Sequence, residues 1–176
     1  MKTELLPPSQ LSHELREETN EDLRLRRVGF GLSLAGAFIG GVVAAYQMGL
    51  IKRLPDILPG GIFDAEKVDA SDYAYENLQS PDGQMMLVNY GVTAAMIAAG
   101  GKGRAEQNPA LPVAAAAKAA FDVALAGRLA VKEWKQNKQL CSWCQVATAA
   151  SVATLAAAVP EAVKALRGGR ERRVHA

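Results

Sequence analysis

The only two cysteines of this 176-residue chain are Cys141 and Cys144, which open the nearly uncharged run at residues 141–159. If that run is a helix, its N-terminus offers unpaired N–H groups and a partial positive charge that stabilise a thiolate. The thiolate is the nucleophile of disulfide exchange. We therefore expect a redox pair, with Cys141 exposed at the first turn and Cys144 one turn deeper, facing a helix bundle. The alternative is that both are small buried hydrophobic residues.

A metal site is not expected at this pair. Structural zinc takes four ligands, and two cysteines supply half of them. The only histidines, His13 and His175, stand in the two tails of the chain. The sequence also lacks glycine-rich phosphate loops and nucleic-acid-binding motifs, so we expect no nucleic acid partner.

Four apolar segments are candidates to hold the pair in a lipid bilayer. Residues 28–51 carry no charged side chain and exceed the roughly 20 residues that a bilayer core requires. The other predicted spans are residues 85–101, 112–131 and 141–160, and the segment 85–101 is only about as long as the short limit. The sequence thus predicts an all-α, integral-membrane bundle of four transmembrane helices. A soluble alanine-rich bundle is the alternative, but residues 28–51 show no polar face at helical spacing.

Basic residues orient the predicted bundle. Lysine and arginine near span ends are retained on the cytoplasmic side, and they are more numerous on the side that holds both termini. We expect a cytosolic segment at 1–27, a membrane domain at 28–166 and a basic cytosolic tail at 167–176, in the cytoplasmic membrane of a bacterium. The cysteine pair then lies on the outer, oxidising face, where disulfides persist. A short helix within residues 64–78 of the outer loop is expected to cap the site.

Two motifs give the sequence a resemblance to a known family. The pentapeptide CSWCQ opens the last predicted span, and DAEKVDASDYA, residues 64–74, stands in the outer loop. Together they resemble the bacterial vitamin K epoxide reductase family over residues 27 to 166. The resemblance implies a four-helix bundle that encloses a quinone, either menaquinone or ubiquinone. The activity it implies is that of a membrane thiol:quinone oxidoreductase that supports disulfide bond formation.

The resemblance also assigns roles by position in this sequence. Cys144 would pass electrons to the quinone, and Cys141 would exchange with a thiol partner of thioredoxin fold on the outer face. Ser71 matches the loop serine that helps close the site. Thr148 stands one helical turn after Cys144, where animal members of the family have a tyrosine that lines the quinone pocket.

The outer loop departs from the family pattern. Family members commonly carry two loop cysteines that shuttle electrons to the helix pair, and the second of these would stand at Ala65. No cysteine occurs in residues 52–84. Either a partner's thiols reduce the Cys141–Cys144 disulfide directly, or the chain is a non-catalytic membrane subunit or assembly factor that kept the fold. Membership of a membrane complex is left open.

Three polar side chains in the second and third predicted spans are further candidates. Asn89 could hydrogen-bond a quinone carbonyl, or it could hold two helices together. Asp122 and Lys118 are four residues apart and share one helical face. They could form a buried ion pair, or they could carry protons to the quinone, since ionisable groups inside a membrane are functional candidates.

Overall fold

The fold of this protein is all-α, as the sequence predicted. The computed structural model describes residues 6–76 and 79–174, with side chains as far as residue 168, and these residues include no β-strand. One isolated parallel bridge pairs Phe63 with Leu140. The helices are α1 (Pro8–Glu17), α2 (Glu21–Gln47), α3 (Ala65–Asp69), α4 (Asp82–Ala98), α5 (Arg104–Gln107), α6 (Ala110–Asn137) and α7 (Ser142–Val174).

Within the described part of the chain, three helices are long and apolar enough to cross a membrane. They are α2, α6 and the part of α7 from Ser142 to Gly168. Helix α4 has 17 residues, which is short against the roughly 20 that a bilayer core requires. These three helices support an integral-membrane protein, and the count of four spans stays a prediction.

Helix α2 packs most extensively against α4 and α7, and α6 packs against α7. Glycines let the α2 and α4 backbones meet directly. A Cβ atom at Gly40 would lie 2.7 Å from the Leu87 backbone nitrogen, and one at Gly83 would lie 2.5 Å from the Ala44 nitrogen. Helices α4 and α6 touch much less. A gap therefore remains between them.

Two arginines hold the C-terminal end of α4 in place. Arg26 of α2 donates hydrogen bonds to five backbone carbonyls within residues 97–101, at 2.7–3.2 Å. Arg104 donates to carbonyls at the same helix end and forms a two-pronged ion pair with Glu161 of α7, at 2.9 and 2.7 Å. A helix end leaves its last carbonyls unpaired, and these donors satisfy them. The α4 side chains are thereby fixed relative to α2 and α7.

The α2–α4 loop, residues 48–81, lies against the junction between α6 and α7. Helix α6 ends where Lys138 adopts a left-handed conformation with φ of 56°. This reversal brings Leu140 beside the loop, where its N–H donates to the Ile62 carbonyl at 2.9 Å and its carbonyl accepts from the Asp64 N–H at 3.1 Å. The loop is therefore attached where the cysteine pair begins.

The short helix predicted within residues 64–78 is α3, five residues long, followed by a 3-10 turn at Asp72–Tyr75. Residues 77 and 78 lie outside the described residues. Helix α7 continues past the predicted span, as far as Val174. The side chains of the predicted basic tail after residue 168, and His175, also lie outside the described residues.

Candidate functional site

Cys141 forms the start of α7. Its sulfur accepts a hydrogen bond from the Cys144 backbone N–H at 3.3 Å, and its carbonyl accepts from the Gln145 N–H at 3.1 Å. The sulfur thus occupies the position of a helix cap, where unpaired N–H groups stabilise negative charge. The hydrogen bond with the Cys144 thiol lowers the pKa of Cys141, but burial and the neighbouring Asp69 outweigh it, so the pKa of the Cys141 thiol stands above its usual value.

The expected exposure of Cys141 is wrong. Cys141 is 0% exposed, whereas Cys144 is partly exposed. The reason is the α2–α4 loop, which covers the start of α7. The Trp143 indole N–H donates to the Pro55 carbonyl at 3.0 Å, and the Ile57 N–H donates to the Ser142 hydroxyl at 3.0 Å.

Asp69, at the end of α3, reaches the cysteine pair from the loop side. One carboxylate oxygen of Asp69 and the sulfurs of Cys141 and Cys144 all lie within 4.8 Å of one another. The side chain is 1% exposed. Burial raises the pKa of Asp69 to about 7, and a hydrogen bond with Cys141 opposes that shift.

Sequence reasoning missed Asp69, although a signal was present. Ala65, Val68 and Asp69 are all buried, and their i, i+3, i+4 spacing places them on one helical face. Two apolar residues on that face should have indicated that Asp69 points inward. Asp69 and the two thiols make three donors, one short of the four of a structural zinc site.

Glu133 is the second acidic residue that the sequence did not reveal. It stands near the end of α6 and is 3% exposed. One of its carboxylate oxygens accepts from the Cys141 N–H at 3.4 Å. Nothing in its spacing along α6 distinguishes it from a surface glutamate among lysines.

A cavity of about 350 Å³ lies between α4, α6 and α7, in the gap between the first two. Cys144 stands on its wall, together with residues from all three helices. They include Asp82, Met85, Met86, Asn89 and Tyr90 of α4, Asp122, Leu125, Arg128, Leu129, Lys132 and Glu133 of α6, and Gln145, Ala147, Thr148 and Ser151 of α7; Val43 of α2 and Tyr73 of the loop also line the cavity. The walls are mainly apolar, with the sulfur of Cys144 at one side and polar groups at another.

Two polar residues of the cavity wall, Asn89 and Asp122, belong to a hydrogen-bond network with Lys118 and Thr93 behind them. The Asn89 amide N–H donates to Asp122 at 2.9 Å, and its oxygen accepts from Lys118 at 3.0 Å. Lys118 also pairs with Asp122 at 2.6 Å, and the Thr93 hydroxyl donates to Asp122 at 2.6 Å. The expected Lys118–Asp122 ion pair is present, and Asp122 is 4% exposed.

The structure brings some of the predicted site residues together and leaves one apart. Cys144, Asn89 and Thr148 share the cavity wall. The Thr148 hydroxyl donates to the Cys144 carbonyl at 2.8 Å. Ser71 does not line this cavity, and its hydroxyl donates to the Val68 carbonyl at 2.6 Å. Its predicted role in closing the site stays a prediction.

A comparison with protein families decides what this arrangement belongs to. The model of the vitamin K epoxide reductase family matches residues 28–159, well over half of the chain. The chain belongs to the vitamin K epoxide reductase family. Comparisons with curated proteins and with solved structures give no significant match.

Within the vitamin K epoxide reductase family pattern, Ala65 marks the place expected for a loop cysteine. Here its side chain is 0% exposed, and its N–H donates to Asp56 at 3.2 Å. The other Asp56 carboxylate oxygen accepts from the Ser142 N–H at 3.4 Å. Asp56 therefore links α3 to the start of α7 through two hydrogen bonds, and alanine stands at the position where the family pattern has a cysteine.

Proposed function

We propose that this family member is a membrane thiol:quinone oxidoreductase. It takes two electrons from a thiol partner at the Cys141–Cys144 pair and passes them to a quinone, so that the partner gains a disulfide. The arrangement of Cys144 carries the proposal: its sulfur lies within 4.8 Å of the second sulfur, and its side chain lines a cavity between helices. A quinone bound in this cavity would be close enough to Cys144 to take electrons from the pair as its disulfide forms.

The cavity residues suit a quinone. A volume of about 350 Å³ falls at the lower end of the range for small-molecule sites, roughly 300–1,000 Å³. Methionine, leucine and alanine side chains offer apolar walls for a flat ring, and the Asn89 amide offers a donor for a carbonyl oxygen. A bound quinone supplies an acceptor for two electrons and two protons. We propose menaquinone or ubiquinone as this quinone.

The membrane arrangement is also part of the proposal. We place the chain in a bacterial cytoplasmic membrane with both termini cytosolic and with α4 as a fourth, short span. The basic residues near the span ends support that orientation. A thiol protein of thioredoxin fold would then approach the α2–α4 loop from the outer face. Because loop cysteines are absent, its thiols would react with the helix pair directly.

The burial of Cys141 places one demand on this proposal. A partner thiol can attack its sulfur only after the loop has moved away from the start of α7. The same burial favours the second candidate, a non-catalytic membrane subunit or assembly factor, in which the two cysteines serve only to pack the bundle. The two candidates differ in whether the thiols react.

The deciding experiment follows the two thiols in the full chain, purified in detergent. Reduced protein is mixed with a short-chain ubiquinone or menaquinone, and disulfide formation is measured by mass spectrometry. The proposal expects quinone-dependent loss of both thiols, and none in Cys144→Ser. In parallel, the wild type should rescue a bacterial strain that is deficient in disulfide formation, and Cys141→Ser with Cys144→Ser should not. Rescue by the double serine variant would establish the scaffold instead.

A further inference from the structure

Asp69 has an unused hydrogen-bond acceptor beside the thiol pair. Its Oδ2 atom is buried and has no hydrogen-bond partner among the described residues. Its carboxylate lies within 4.8 Å of both sulfurs, and the side chain is 1% exposed. A carboxyl group in this position can exchange a proton with a thiol, directly or through one water.

We propose that Asp69 is the proton acceptor for Cys141 when the thiol pair is oxidised, and its proton donor when the pair is reduced. This role rests on the proposed thiol:quinone exchange. In the oxidation, the two S–H bonds break and the S–S bond forms, two electrons pass to the quinone, and the quinol that results carries two protons. The Cys141 proton goes first to Asp69, and passing it on restores the carboxylate. When a partner's two thiols reduce the disulfide, Cys141 is released as a thiolate and Asp69 returns a proton to it.

The surroundings of Asp69 agree with this role. The ionisable groups that interact with it among the described residues are carboxyl, thiol and phenol groups, from α7, α6, α4, α2 and the loop: Cys141, Cys144, Glu133, Asp82, Asp56, Tyr46, Tyr73 and Tyr75. With burial and these neighbours, the pKa of Asp69 stands at about 7. Both protonation states are then populated at neutral pH, which is the condition for efficient proton transfer. After the proton leaves, the Cys144 N–H at 3.3 Å stabilises the Cys141 thiolate.

The proposed pairing is specific to Cys141. Its sulfur lies within 4.8 Å of an Asp69 carboxylate oxygen and is shut off from solvent, since the residue is 0% exposed. A buried thiol has no water to accept its proton, so a fixed acceptor is required for it to ionise. Cys144 lines the cavity and can give up its proton there.

The test uses the fact that the chain has only two cysteines. Both are labelled with 13C at Cβ, and the reduced full chain in detergent is titrated by NMR. We expect the Cys141 signal of the wild type to move twice, near pH 7 with Asp69 and at higher pH with its own thiol. Asp69→Asn should lose the step near pH 7. Asp72→Asn, an exposed aspartate of the same loop, should keep both steps.

A kinetic measurement completes the test. In a single turnover with quinone at pH 7, thiol oxidation should be at least about 10-fold slower in Asp69→Asn than in the wild type, since positioned acid–base groups typically contribute 10²–10⁴-fold. The rate should recover as the pH rises toward the thiol pKa. Asp69→Glu keeps a carboxyl group, so its rate of thiol oxidation should lie between those of the wild type and Asp69→Asn. Thermal unfolding of each variant verifies that the fold is retained.

The outcomes separate the two proposals. If the wild type is oxidised by quinone and Asp69→Asn is oxidised at the same rate with the same pH profile, the role of Asp69 is wrong and the proposed function stands. If the Cys141 signal has no step near pH 7 in the wild type, the role of Asp69 is also wrong. If the step is present but quinone oxidises neither protein, the proposed function fails and takes the role of Asp69 with it.

Discussion

The amide of Asn89 is fixed by Asp122 on the neighbouring helix. Its N–H donates to the Asp122 carboxylate at 2.9 Å, while its oxygen accepts from Lys118 at 3.0 Å. A neutral amide that is hydrogen-bonded at both ends cannot rotate, so it presents a single orientation to the cavity. The ion pair therefore does two things: it neutralises two charges inside an apolar bundle, and it orients a polar group of the cavity wall.

Breaking this ion pair should destabilise the protein more than removing it altogether. Lys118→Met leaves Asp122 buried and unpaired, and we expect the free energy of unfolding to fall by about 3 kcal/mol. The double change Lys118→Met with Asp122→Asn should recover most of that loss, because no charge remains buried. Thermal unfolding in detergent measures both, with Lys135→Met at an exposed position as control. Equal losses in the single and double variants would show that the pair does not act through its charges.

The Asn89 amide itself should affect quinone binding and not electron transfer. Asn89→Ala removes one neutral hydrogen bond, worth about 1 kcal/mol, so the KM for quinone should rise about 5-fold while kcat changes little. Thr148→Val is the matched control on the same wall. The Thr148 hydroxyl is already used by the Cys144 carbonyl, so its loss should leave the KM unchanged. A larger change of KM in the threonine variant than in Asn89→Ala would assign the ligand contact to α7 instead.

The loop that covers Cys141 should open more readily without the Trp143 hydrogen bond. Trp143→Phe keeps the ring and removes the 3.0 Å bond to the Pro55 carbonyl. Loss of about 1 kcal/mol from the closed state should raise the rate of Cys141 alkylation about 5-fold. The rate is measured by mass spectrometry in a Cys144→Ser background, with Trp134→Phe, 44% exposed on α6, as control. An unchanged rate would mean that the contacts of Asp56 and Ile57 hold the loop by themselves.

The sequence predicted the elements of this fold better than their contacts. The charge-free run at 28–51 predicted the body of α2, and the apolar run after Cys141 predicted the first part of α7. The burial of Cys141 could not be predicted, because it depends on loop contacts such as Trp143–Pro55 and Ser142–Ile57, whose partners are 88 and 85 residues apart in sequence. The partners of Asn89 were hidden for the same reason, since they stand on a different helix. Asp69 is the exception, because the spacing within α3 contained the information.

The charge of Asp69 should make the protein less stable as the pH rises. Its pKa is about 3.8 in an unfolded chain and about 7 in the fold, so between these values the folded state binds more protons than the unfolded state. Stability then falls with rising pH across this window, by at most about 4 kcal/mol. Asp69→Asn should flatten the fall, whereas Asp72→Asn should retain it. Unfolding in detergent from pH 4 to pH 8 measures the slope. The opposite result would be a wild-type stability that rises across the window, with a slope that Asp69→Asn abolishes. It would mean that a positive partner lowers the pKa of Asp69 in the fold, and that burial does not raise it.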